Sequence, residues 1–355
     1  MTRPVDQPPA REPLTLAVAA HGLPSRHNLP TEPVEPAAWS RLVRAVVEER
    51  LEGHLARAVA DGALAVSDEQ HAAAAAVHRS AMATVLLCES RLVTLAPALD
   101  ALGATWRVLK GSAVAHLDHA DPADRAYGDL DLLVDGPHIS AVIAHLLDLG
   151  GRRAFNEPRP GFDERFGKGA AVHLPDGSEV DVHRTLALGP FGVRLDPELL
   201  LAAAPASFVV GGRTVAGLDQ PWRLLHACYH AALGRHPARL SAQRDVLQLL
   251  PSDGSLDLVD AVASCGGRAV VAAALVEAAD ALRPERPHPL VTWARHVEPT
   301  MRERRWLSAY RGPRRSSRRR TVLVLEALPG TAARMSYARA VADSARQRPD
   351  RPLRP

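Results

Sequence analysis

The sequence predicts an α+β fold, a mixed core flanked on both sides by helical parts. Three observations predict it. Apolar residues recur at helical spacing before about residue 102 and again after about 219. Short apolar runs fill the middle, where Asp176-Gly177 and Gly211-Gly212 are hairpin signals. Two aspartates, Asp129 and Asp131, interrupt one of those runs.

Residues 1–36 are rich in proline and poor in periodic apolar positions, and are expected to form a disordered or loosely docked tail. Residues 37–102 are expected to be helical. Trp39, Leu42, Val43, Val46, Val47 and Leu51 mark one helix. A second starts at Ser67-Asp68-Glu69-Gln70, an N-cap with acidic first-turn residues, and runs to about Leu102, with a break expected near Glu89-Ser90.

Residues 103–218 form the expected core. Strands are expected at Thr105 to Leu109, Asp129 to Val134, Arg153 to Phe155, Ala170 to Leu174 and Glu179 to Arg184. Ser207 to Val210 and Thr214 to Leu218 make a further hairpin. Short helices are expected over 112–117, 138–149 and 199–204. Pro221 then opens a helical C-terminal region, 219–345, and 346–355 is a flexible tail.

Composition bounds the function. The 355 residues suffice for two or three domains. The net charge of +3 gives no whole-chain argument for nucleic acid, since 43 basic residues nearly balance 40 acidic ones. The three cysteines, Cys88, Cys228 and Cys265, have neither disulfide nor zinc spacing, so a reducing cytoplasm is expected. The N-terminus has no apolar signal core, no stretch reads as a membrane span, and no membrane partner is expected. Only two of the basic residues are lysines, Lys110 and Lys168. Lysine is a compact point charge where arginine is a planar fork, so a lysine kept against this bias marks a candidate site.

The chemistry concentrates in three aspartates. On a strand Asp129 and Asp131 share a face, about 7 Å apart. Asp181, in Glu179-Val180-Asp181-Val182-His183, would add a third carboxylate from a neighbouring strand. Aspartate is unfavourable in strands, and burying two carboxylates without counter-charge costs several kcal/mol. The set therefore asks for a cation, and an all-oxygen cage suits Mg²⁺ or Mn²⁺. Paired divalent ions held this way neutralise a triphosphate and activate an attacking hydroxyl. Lys110, Gly111 and Ser112, between strand and helix, would offer backbone N–H groups and charge to phosphates, with Arg125 and Lys168 adding cations. His183 shares the strand face of Asp181 and is expected either to orient it or meet substrate, or equally to serve a structural role.

These residues resemble the nucleotidyltransferase superfamily of DNA polymerase beta, the aminoglycoside nucleotidyltransferases and the toxin-type nucleotidyltransferases. The match is Gly111-Ser112, then Asp129-Leu130-Asp131-Leu132, then Asp181. More closely the chain is similar to a group of uncharacterised bacterial nucleotidyltransferases, through Leu109-Lys110-Gly111, Arg125, Asp129 to Val134, Asp181-Val182-His183 and the segment Leu224 to Asp245. One departure is the sixteen-residue spacer between Ser112 and Asp129, longer than is usual in the superfamily. The resemblance implies a polymerase-beta-like core and a metal-dependent transfer of a nucleoside monophosphate from an NTP to a hydroxyl or phosphate acceptor. It implies Asp129, Asp131 and Asp181 as catalytic and metal-binding, and Lys110, Gly111, Ser112 and Arg125 as nucleotide-binding; Lys168 joins the nucleotide-binding candidates on its rarity alone. Two alternatives stand beside this, a non-catalytic nucleotide-binding module of the same fold and a toxin-type enzyme acting on tRNA or protein. Nucleic acid would be met by Arg302 to Arg320, nine arginines with Glu303 as the lone acid, although such runs are usually solvated faces. His226 and His230 have zinc-pair spacing but no third ligand, and read as core or surface histidines.

Overall fold

A sheet of seven strands organises the molecule. The computed structural model describes residues 11–311 and 317–346. The strands are β1 (Trp106–Val108), β2 (Leu130–Val134), β3 (Arg152–Arg153), β4 (Gly169–His173), β5 (Glu179–His183), β6 (Ala206–Val210) and β7 (Arg213–Gly217), in the spatial order β3-β4-β5-β2-β1-β7-β6. The sheet is mixed. β2 runs parallel to β5 and β1 parallel to β7, and the other neighbours are antiparallel. Asp176-Gly177 turns β4 into β5, and Gly211-Gly212 turns β6 into β7, with Gly177 at φ +86°.

Strand alternation decides what each sheet face carries. Leu130, Leu132 and Val134 of β2, with Val180 and Val182 of β5, enter a core shared with Leu92, Leu95 and Leu99 of the Asp68–Ala101 helix and Val142 and Leu146 of the Ile139–Asp148 helix. The intervening residues, Asp131, Leu133, Asp181 and His183, face the other way. There Leu133 joins the core of the C-terminal helices Gln220–Leu233 and Arg268–Leu282. Every residue of β2 is buried, as a strand covered on both faces must be.

Three expectations are corrected. Residues 11–36 are not a loose tail, for Pro13–Ala20 is a helix with Ala17 to Ala20 buried. It is apolar all round, so it carries no one-sided period to read. The expected break near Glu89-Ser90 is absent: Asp68–Ala101 is one helix of 34 residues, fixed at its start by a Ser67–Gln70 capping box. Its alanine-rich stretch is also long and apolar enough by composition to cross a membrane, contrary to the sequence reading. Here its apolar side chains Val85, Cys88, Leu92, Leu95 and Leu99 are buried against the rest of the protein. Residues 347–355 of the expected C-terminal tail, and 1–10 of the N-terminal one, lie outside the described residues.

Candidate active site

The parallel pairing of β2 with β5 sets Asp131 opposite Asp181, and Leu133 opposite His183. The two carboxylates come from segments fifty residues apart and meet because strand alternation puts Leu130, Leu132, Val180 and Val182 on the far face. Ligand atoms of Asp131, Asp181 and His183 all lie within 4.8 Å of one another.

Lys110 reaches this cluster from the edge of β1. Leu109 N–H donates to the Asp131 carbonyl at 2.9 Å, one step past the last β1–β2 pair. The chain then turns sharply at Lys110, with φ +31°, into the Lys110–Asp118 helix. Such a φ is uncommon for a residue with a side chain. It sets the Lys110 ammonium 2.6 Å from Asp131 Oδ1 and 3.7 Å from Asp129 Oδ2. His183 Nε2 lies 2.6 Å from the same Asp131 oxygen. The other oxygen, Asp131 Oδ2, is buried without a hydrogen-bond partner among the described residues, as is His183 Nδ1.

The charges follow from this packing. Burial alone would raise the Asp131 carboxyl, but Lys110 and the His183 hydrogen bond outweigh it and hold the group well below the usual carboxylate range. Burial disfavours the Lys110 ammonium, yet Asp131 and Asp129 keep its pKa raised. For His183, burial and the nearby Lys168 lower the pKa against the pull of Asp131, so the ring is neutral at pH 7. Asp131 is 1 % exposed at its side chain, Asp181 22 % and Asp129 34 %, so the cluster is buried at its base and open at its mouth.

Lys168 enters from the opposite side, ahead of β4. Its pKa is lowered by burial and then by Lys110, and Asp131 and Asp181 act against this shift. Its carbonyl accepts Arg184 N–H at 2.6 Å, which fixes the start of β4 beside the end of β5. Gly169, at φ +156°, makes this approach possible, since a Cβ there would stand 1.8 Å from the Val182 carbonyl oxygen. Lys110 thus contacts the carboxylates directly, and Lys168 leads into the strand beside Asp181.

The other sequence candidates fall differently. Gly111 and Ser112 sit in the first turn of the Lys110–Asp118 helix, but both are buried. A Cβ at Gly111 would lie 2.8 Å from Tyr127 Cγ, so this glycine is required by packing against Tyr127. Arg125 is committed to Asp245, with Nε and Nη2 donating to the two carboxylate oxygens at 2.8 and 2.5 Å, deep in the protein. His226 is buried, its ring edge-on to His183 with centroids 6.3 Å apart. With His230 and Lys110 it lines a cavity of about 10 Å³, room for roughly one water. Arg50, at the end of the Pro36–Glu49 helix, was not legible as a site residue. A Cβ on Gly128 would stand 3.5 Å from its Nη2, which places this guanidinium beside the residue preceding Asp129. No local sequence signal joins residues 50 and 128.

A family model, described as an uncharacterised nucleotidyltransferase, matches residues 35–279. The chain belongs to that family. Its match takes in the site cluster from Lys110 to His183 together with His226 and Asp245. Among solved structures the chain is similar to an antigenic nucleotidyltransferase-like protein from Paracoccidioides brasiliensis, at 16 % identity and a TM-score of 0.32, over 56 % of this chain and 92 % of that one. No curated protein matches.

Proposed function

We propose that this family member is a divalent-metal-dependent nucleotidyltransferase of the polymerase-beta-like superfamily, which moves a nucleoside monophosphate from an NTP to a hydroxyl or phosphate acceptor and releases pyrophosphate. The observation that carries this reading is the register pairing of Asp131 with Asp181 on adjacent parallel strands, with a buried, unpartnered oxygen on Asp131. The two carboxylates fit Mg²⁺ or Mn²⁺, and the neutral His183 imidazole lies within 4.8 Å of them. Asp131 and Asp181 would hold the ion, with the more exposed Asp129 at the mouth of the site and His183 positioning Asp131 through its 2.6 Å contact. When bound, such ions supply charge neutralisation on the triphosphate and activation of the attacking oxygen.

The chain's own residues do the rest. Lys110 and Lys168 bring two positive charges to the anionic donor. Asp181 accepts the proton of an acceptor hydroxyl. A cytoplasmic setting is part of this proposal, since a reducing compartment keeps free cysteines reduced. The acceptor is the unassigned half of the reaction.

The test is transfer of label from each of the four α-labelled NTPs to material in a lysate of the source cell, with wild type, Asp131→Asn and Asp181→Asn. Both substitutions should abolish labelling while circular dichroism stays that of the wild type. Metal-dependent turnover retained by Asp131→Asn would sink the assignment.

A further inference from the structure

Three of the five phenylalanines in the chain, Phe155, Phe162 and Phe166, fall within twelve residues. Phe155 is 82 % exposed. Phe162 and Phe166 pack against Tyr337 of the Gly330–Arg346 helix, with ring centroids 5.8 and 5.5 Å away. Beside this aromatic wedge the loop and the helix form an open groove of about 480 Å³. Phe162, Phe166 and Met335 give it flat and apolar wall, and Arg159, Arg165 and Arg339 give it positive charge.

The acids of the loop are already engaged. Asp163 pairs with Arg153, Glu157 accepts Asp163 N–H at 3.0 Å, and Glu164 accepts the Ser140 hydroxyl. Asp343 stands 4.0 Å from Arg159. Among the described residues, no carboxylate lies within 4 Å of Arg165 or Arg339. The Arg165 guanidinium instead lies 5.2 Å from the centroid of the Phe166 ring, over its face. A groove that pairs stacking surfaces with uncommitted arginines has the chemistry of single-stranded nucleic acid recognition. Bases stack on aromatic rings for about 1–3 kcal/mol each, and arginines take the phosphates.

The chain that walls the groove leads on to the strand beside the carboxylates. Phe166 is followed by Gly167 and Lys168, and both their carbonyls are held by Arg184, through Nε at 3.0 Å and N–H at 2.6 Å. The strand that Lys168 opens lies against Asp181, with Ala171 as its register partner. Three arginines of the run singled out in the sequence meet partners within the protein: Arg305 lies 3.2 Å from Glu326, Arg311 lies 2.5 Å from Glu277, and Arg320 lies over the Tyr310 ring. Residues 312–316 of that run lie outside the described residues.

We infer that the groove between Phe162–Phe166 and the Gly330–Arg346 helix binds a single nucleic-acid strand. That this strand is the acceptor rests on the transferase reading above; that it binds does not. The experiment is therefore a binding measurement on the full chain, without NTP and with chelator present. Fluorescence anisotropy would follow a labelled single-stranded RNA, the matching single-stranded DNA and the RNA duplex. Either single strand should bind more tightly than about 100 µM at physiological salt, with affinity falling as salt rises. Arg165→Glu and Arg339→Glu should each weaken it about tenfold or more, and Arg286→Glu, on a distant surface, should not. Preference for RNA over DNA, or the reverse, names the strand and supports the site equally. Three results overturn the inference: no binding of either strand, equal loss from Arg286→Glu, or displacement by the duplex or a polyglutamate peptide as readily as by a single strand.

Discussion

The Lys110 ammonium lies 2.6 Å from Asp131 Oδ1, at the base of the carboxylate cluster. A buried carboxylate needs a counter-charge, and in the absence of an ion this lysine supplies it. The same position makes it a competitor for any cation that the carboxylates bind. Substitution of Lys110 by Met should therefore act in two directions. Stability in chelator should fall by about 3 kcal/mol or more, the cost of leaving a buried charge with only His183 as partner. Mn²⁺ should then raise the melting temperature of Lys110→Met by more than it raises that of the wild type. Thermal unfolding with and without Mn²⁺ measures both. Equal Mn²⁺ shifts in the two proteins would show that Lys110 does not contest the ion.

Arg125 gives a contrasting case. Its two bonds to Asp245 join the loop before β2 to the Leu240–Gln248 helix across 120 residues. Removing one member of such a buried pair costs about 3–5 kcal/mol. Arg125→Met should lose that much stability in urea unfolding, and Asp245→Asn a comparable amount. Under conditions where the variant remains folded, its affinity for NTP should equal that of the wild type. A weakened NTP affinity with unchanged stability would return Arg125 to the nucleotide site.

Gly169 ties the fold to the chemistry. A methyl group there meets the Val182 carbonyl at 1.8 Å, so β4 and β5 must separate for it to fit. Gly169→Ala should cost about 1–3 kcal/mol, as overpacking does. It should also lower NTP affinity, because Lys168 precedes the glycine directly and moves with it. Denaturant unfolding and nucleotide titration on one variant check both parts. Loss of stability with nucleotide affinity intact would separate Lys168 from the donor site.

What the sequence disclosed and what it withheld have physical reasons. Asp131 and Asp181 were legible because each sits in an aliphatic strand that has no use for a carboxylate unless something binds it. Lys110 and Lys168 were legible by rarity, against 41 arginines. The hairpin at Asp176-Gly177 was legible because its glycine needs a positive φ. The partners were not. Nothing near Arg125 announces Asp245, and nothing near His183 announces His226, because each pair is made by the packing of the C-terminal helices onto the sheet. The Pro13–Ala20 helix escaped for the opposite reason: apolar nearly all round, it has no polar face to give the period away.

A buried histidine and its half-buried neighbour set an acid limit on stability. His54 and His119 lie with ring centroids 5.7 Å apart. Desolvation, then the charge of Arg244, lowers the His54 pKa well below its ordinary value. Desolvation likewise brings His119 to about 4. Both rings are neutral in the folded protein but protonate near pH 6.5 once unfolded. The unfolded state thus binds more protons as the pH falls below about 6.5, and stability is present above that value and lost beneath it. Each histidine contributes a slope of up to about 1.4 kcal/mol per pH unit until its folded pKa is reached. Urea unfolding between pH 7 and pH 5 should therefore show stability falling with acidity, and His54→Gln should make that fall shallower. An unchanged slope in the variant would mean that His54 is already protonated in the folded state or stays neutral in the unfolded one.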